Sequence, residues 1–398
     1  MHFGPVLRHR TSWGRINAEA EGIYRSARDF RWDSRNIGHD ARGEVTVGDE
    51  ARGVAVGGRL YDVVAPVEDW QVGDAENGFA SFFLHRDFRD HYDRHGGAGW
   101  IRAYAGEELE LRLSLADERW GNRGELDPWT LFRDDARWRP NPTLDEGRFH
   151  LATAMLHFDS RNDVDRPWSG WYAHTEVERG TGTITRAGPV VDLEDRSPAG
   201  RTDWVRGFID VRKYSRLAPN TLLNLRLVTG GWLGGDALPL NRRLSLGGAG
   251  SLPGYDFRGD ALPTTVCSGF ADIDDEPGQI VNGTARGVPA NCERIALAQV
   301  EYRTDLNLKF DLFSRPSRFL RIRRVGQWVL FANSGRGWLV GPRVGELQYR
   351  AGQFPTLSTF RTDIGGGLDF GRLGFYIAKS VSDGDEPPNF FVRLRRRF

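Results

Sequence analysis

Residues 107–115 read EELELRLSL. From Leu109 to Leu115 every odd position is leucine, while Glu108, Glu110, Arg112 and Ser114 fill the even ones. A side-chain period of two is the signature of a β-strand with one apolar and one polar face. The split recurs along the chain. FRTDIGGGLDF at 360–370 sets Phe360, Thr362, Ile364, Leu368 and Phe370 against Arg361, Asp363 and Asp369, and 171–178, 203–213 and 221–227 alternate in the same way. A soluble β-sandwich, wet on one face of each sheet, would show this pattern too. Three features favour a barrel in lipid. The candidate strands run to about ten residues, the length a tilted membrane strand needs. Their polar faces carry both charge signs, as a lumen tolerates. Trp100, Trp120, Trp171, Trp328 and Trp338 stand at strand ends, where interfacial girdles lie.

The pattern places strands at 3–9, 14–25, 52–66, 75–86, 93–104, 107–117, 147–159, 170–180, 203–214, 219–229, 293–304, 325–335, 358–370, 372–380 and 388–398. Long connections (26–51, 118–146, 181–202, 230–292 and 336–357) alternate with short ones, as in outer-membrane barrels. The basic stretch 305–324 breaks that rhythm. These are fifteen strands, whereas bacterial single-chain barrels have an even number. The expectation is therefore an all-β, antiparallel transmembrane barrel spanning 1–398, sixteen-stranded in the full protein, with one strand, a signal peptide and any periplasmic modules lying ahead of this chain. A weak strand overlooked within 26–51 is the alternative.

Composition narrows the partners. Acidic and basic residues balance at 54 each, so there is no cationic field to hold nucleic acid. No apolar run approaches the roughly 18 residues of a spanning helix. Lipid of the bacterial outer membrane is the expected surroundings. At the C-terminus, FFVRLRRRF puts Phe390, Val392, Leu394 and Phe398 on one face and ends on the aromatic, a pattern resembling the sorting signal of outer-membrane barrels.

The longest connection contains the glycine-rich stretch LGGAGSLPGYDFRG at 246–259. With one strand missing, the strand before it is the eleventh of sixteen. Here the sequence resembles the barrel domain of the BamA-type superfamily of outer-membrane assembly and translocation proteins, also called bacterial surface antigens. In that family the loop after strand eleven folds into the lumen and carries an arginine-glycine-aromatic tip. Gly247, Gly248 and Gly250 match the glycine-rich lead, and Leu252, Gly254 and Tyr255 match the tip. Pro253 stands at the family's arginine position, and Arg258, before Gly259, is the nearest substitute. The resemblance implies lumen partners on the following strands. ALAQVEYR offers Glu301, and VLFANSG offers Asn333 where an aspartate is usual. The expected clamp is Arg258 with Glu301, because a lumen guanidinium needs a carboxylate. A glycine-rich surface loop with solvated charges is the alternative.

Cys267 and Cys292 lie in the same connection and in an oxidising exterior would form a disulfide worth roughly 3 kcal/mol; two free thiols are the alternative. Between them, Asp272, Asp274, Asp275 and Glu276 would read as a calcium site or, more simply, as a solvated acidic loop. His85, His91 and His95 fit no metal spacing, and the chain has no phosphate loop, G-x-S-x-G, H-E-x-x-H or C-x-x-C. No enzyme activity and no cofactor are expected. The resemblance implies insertion or translocation of polypeptide clients, with accessory assembly proteins as further partners. A stand-alone channel or surface-display barrel is the other reading.

Overall fold

The computed structural model describes residues 6–24, 36–49, 51–124, 130–132, 138–188, 199–255, 292–306, 326–340, 348–371, 373–382, 384 and 387–398. The first strands are β1 (Val6–Trp13), β2 (Ile16–Tyr24), β3 (Ile37–Gly48), β4 (Arg52–Pro66), β5 (His91–Ala105) and β6 (Leu109–Asn122). The middle of the chain forms β7 (Glu146–Asp159), β8 (Gly170–Arg186), β9 (Gly200–Ala218), β10 (Thr221–Gly235), β11 (Arg294–Leu306) and β12 (Gly326–Val340). A two-residue strand, β13 (Gln348–Tyr349), runs parallel to β12. The last are β14 (Arg361–Asp369), β15 (Gly374–Ser380) and β16 (Asn389–Arg393). Apart from β13 they make one continuous ladder in chain order, each strand antiparallel to the next. The ladder holds fifteen strands, so its edge strands β1 and β16 run in the same direction, and an added strand of the opposite direction would be antiparallel to both.

Burial in this sheet is inverted. Leu109, Leu111, Leu113 and Leu115 all face outward, and so do Val56, Ile101, Leu227, Leu330 and Ile377. Glu118, Glu178, Asp210, Arg226, Glu301, Arg303 and Asp363 face inward and are buried. A soluble fold cannot afford so many exposed aliphatic rows, whereas a bilayer requires them. This is a transmembrane β-barrel fold. Inside, acids meet bases: Asp40 with Arg59, Glu44 with Arg102, Glu118 with Arg94, and Asp210 with Arg212 and Arg226. Pairing removes the need to leave any of these charges bare in a confined space.

Three expectations fail. The segment expected as a strand at 75–86 is a helix, α1 (Asp74–Leu84). Glu76, Asn77, Ala80 and Ser81 are its buried face, a spacing of one, three and four that only a helix brings together. Asp74 and Glu76 in the first turn suit the helix dipole, and His85 ends the helix in a left-handed conformation, φ 55°. Conversely, 26–51 contains the strand β3, as the alternative reading had it; its outward row of Ile37, Val45 and Val47 is interrupted by His39, Ala41 and Gly43, which weakens the alternation. The total stays at fifteen because the two errors cancel. The third failure concerns the aromatics. Trp171 and Trp328 do face outward, but Trp120 and Trp338 are buried and Trp100 donates from Nε1 to the lumen carboxylate of Glu44 at 2.9 Å.

Candidate functional site

The connection after β10 folds inward, and from Leu238 to Tyr255 every residue but the half-buried Ala249 is buried. Leu238 and Leu240 pack with Tyr92, Trp120, Phe149 and Trp204. The backbone N–H of Leu240 donates to Asp145 at 2.8 Å. Arg242 donates to Glu178 (2.8 Å) and to the Tyr92 hydroxyl (2.6 Å) while lying over the Trp120 ring. Burial opposes the Arg242 charge, but Glu178 beside it raises the guanidinium pKa above its ordinary value. Arg243 pairs with Glu293 at 3.1 Å. Leu244 bridges Cys292 through both backbone hydrogen bonds. Cys292 is disulfide-bonded; Cys267, Arg258, Gly259 and the 272–276 cluster lie outside the described residues.

The glycine-rich lead is held by polar contacts from three directions. Glu68 accepts from the Ser245 N–H and hydroxyl, and Gln71 donates to the Ser245 carbonyl. Ser251 donates to Gln71 Oε1 and accepts from the Gly247 N–H. Arg226 reaches the Gly250 carbonyl, and Gln299 donates to that of Ser251. Gly250 has to be glycine, because a Cβ there would stand 2.2 Å from the Gln71 carbonyl oxygen. Gly247 and Gly248 take φ of 115° and 77°, the region open to glycine at least cost.

At the tip, Leu252 to Tyr255 closes a turn, Tyr255 N–H to Leu252 O at 3.0 Å. Pro253 occupies its second position, where the ring pre-sets φ. The Gly254 N–H donates to Asp363 on β14 at 2.9 Å, and the Tyr255 hydroxyl accepts from Ser380 on β15 at 2.7 Å. Burial pushes the Tyr255 phenol up. Flexibility is thus removed by anchoring, and the tip touches β11, β14 and β15.

Glu301 and Asn333 lie beside the tip, both buried on the lumen face. Glu301 accepts from Arg303 and Asn224. Asn333 accepts from Gln299 at 3.0 Å and donates to Asp363 at 2.5 Å. A guanidinium is present here, but it comes from the C-terminus. Arg397 donates from Nη2 to Asn333 Oδ1 at 3.0 Å, lies 4.0 Å from Glu301 and sits over the Phe331 ring at 3.6 Å. Burial pushes its pKa down to about 10, with Glu301 and Asp363 opposing the fall.

The tail reaches this point because β16 stops at Arg393. Phe390 and Val392 face outward as expected and Leu394 is part-exposed, but Phe398 is buried and does not share their face. In strict alternation position 396 would also point outward, and it is arginine. Three consecutive arginines at 395–397 cannot continue a lipid-facing strand, so the chain turns inward. Arg393 and Arg395 meet Glu76 of α1, Arg396 meets Gln327, and Phe398 lies near Arg226. The sequence reading overlooked α1, Asp363 and the tail. For the tail, the arginine run was the available signal.

With 12% identity over 98% of this chain and 70% of the other, the structure superposes on BamA from Haemophilus ducreyi lacking POTRA domains 1–3, TM-score 0.50. The fold is that of the BamA barrel. The toluene transporter TodX of Pseudomonas putida is also matched, at 10% identity over 94% of this chain and 81% of that one, but a TM-score of 0.23 carries no weight. No family model and no curated protein matches the chain.

Proposed function

We infer that this chain is a bacterial outer-membrane barrel that assists the insertion or translocation of polypeptides. The observation that carries the reading is that, among the described residues, β1 and β16 are the edges of the ladder and run in one direction. A strand antiparallel to both can be added there, and main-chain hydrogen bonds to an exposed edge are a sequence-tolerant way to hold an unfolded client. Edge chemistry is favoured over solute passage because α1, the inward loop and the tail occupy much of the lumen. BamA-type architecture is the fold-level analogy behind the choice of client.

The test uses the full chain in liposomes. A urea-unfolded outer-membrane barrel is added, and insertion is read as protease-resistant client. Photo-crosslinkers at His9 on β1 and Phe390 on β16 are expected to capture the client during insertion, whereas one at Leu225 in mid-sheet captures none. Insertion no faster than into empty liposomes, together with a large steady conductance in planar bilayers, would replace this reading with a channel.

A further inference from the structure

At the short-turn end of the barrel lies a cavity of about 1150 Å³. Its walls include Leu222, Asp305 and Gln327 on the inward faces of β10, β11 and β12, and its roof is α1 and the tail. It is therefore turned away from lipid.

Arg166, Arg216 and Arg396 surround this space. None of the three is in an ion pair among the described residues. Arg216 spends its guanidinium on the carbonyls of Ala218 and Pro219 and lies over Trp168, 5.4 Å from the ring centre. Arg396 reaches the Pro167 carbonyl at 3.4 Å and Gln327 at 3.2 Å, and its Nε is buried with no partner. Arg166 packs against Gly371, where a Cβ would come within 2.9 Å of Nη2. The one carboxylate in the wall, Asp305, is occupied by the Gln327 amide at 2.7 Å. Three cations against one acid leave the cavity positive. Its other surfaces are aromatic or aliphatic: Trp168, Phe370 and Phe79.

We propose that the turn-end cavity binds an organic carboxylate with an apolar body, its anionic end among Arg166, Arg216 and Arg396 and its body against Trp168, Phe370 and Phe79. Guanidinium groups favour carboxylates through paired N–H donors, and the aromatic walls supply the desolvated surface such a ligand needs. Water-soluble acids are the source this placement allows.

The probe is 2-naphthoate, titrated calorimetrically into the full chain in lipid nanodiscs, with empty nanodiscs subtracted. Saturable binding is expected, weakened about tenfold or more by the double substitution Arg166→Gln/Arg396→Gln, since one hydrogen bond to a charged group is worth about 1.5–3 kcal/mol. Neutral 2-naphthamide, given to the unaltered protein, is expected to bind at least about tenfold more weakly than the acid, which keeps the test independent of how the variant folds. Equal affinity for acid and amide, absence of saturable binding, or an affinity unchanged in a folded double variant would each overturn the proposal.

Discussion

Asn333 shows how one side chain can decide whether a buried polar cluster is consistent. Its amide nitrogen donates to Asp363 and its oxygen accepts from Arg397 and Gln299. An aspartate at 333 would leave two carboxylates in hydrogen-bond contact, and like charges at that distance cannot both ionise. The chain's asparagine is therefore the counterpart of Asp363 and Arg397, rather than a charge simply lost. Removing the guanidinium leaves Glu301 less compensated and the Phe331 face bare. Arg397→Ala is expected to destabilise the protein by about 2 kcal/mol, the scale of a desolvated cation–π contact, read as a lower urea midpoint in nanodiscs. Arg397→Lys is expected to recover only part of this, because an ammonium lacks the planar fork. The resemblance pointed to Glu301 and Asn333 as lumen residues, and both are buried there. It did not reveal Arg397, because contact between residues 64 positions apart leaves no periodic trace.

Among the elements, the inward loop and α1 make opposite demands on glycine. Gly254 is pressed against β14 and β15: an added Cβ would meet the Asp363 Cβ at 2.6 Å and the Ser380 nitrogen at 2.8 Å. Gly254→Ala is expected to cost about 1–3 kcal/mol as overpacking and to displace the tip. Gly78, inside α1, has nothing within 4 Å of such a Cβ. Gly78→Ala is expected to stabilise by about 0.5–1 kcal/mol, since alanine is the better helix former. Parallel denaturant titrations of the two variants would check both signs. The strands of the ladder were mostly legible because their apolar rows face lipid and recur at period two. Helix α1 was misread because Phe79, Phe82 and Phe83 look like strand aromatics until their three- and four-residue spacing is taken as a helical stripe. β3 was missed because small outward residues weaken its alternation.

For the molecule as a whole, acid should loosen the interior before it touches the sheet's apolar band. Burial alone would raise the Glu76 carboxyl, but the Arg393 charge and hydrogen bond hold it below its ordinary value. Asp87, in the turn after α1, is likewise buried and held well below its usual range, by His91. A carboxylate whose folded pKa is depressed lends stability that is complete above its unfolded value, about 3.9–4.3, and is lost as pH falls through the folded value. The urea midpoint is therefore expected to stay level from neutral pH to about 5 and to decline below about 4. Glu76→Gln should flatten part of that decline. The fold class was readable from the chain because a bilayer imposes one simple rule on every strand. What fills the lumen was not, because inside the barrel polar and apolar groups mix according to local partners.

The inward-turned segment after β16 also bears on the order in which the interior closes. Arg393, Arg397 and Phe398 come later in the chain than α1, β10, β11 and β12 and close contacts with all four. Those elements can form their ladder and helix without these residues, but the interior they surround is incomplete until residues 393–398 are in place. A nascent or truncated copy would hold an unfinished lumen, with Glu76 and Glu301 lacking their tail arginines, and so would be distinguishable from a finished one by its interior alone.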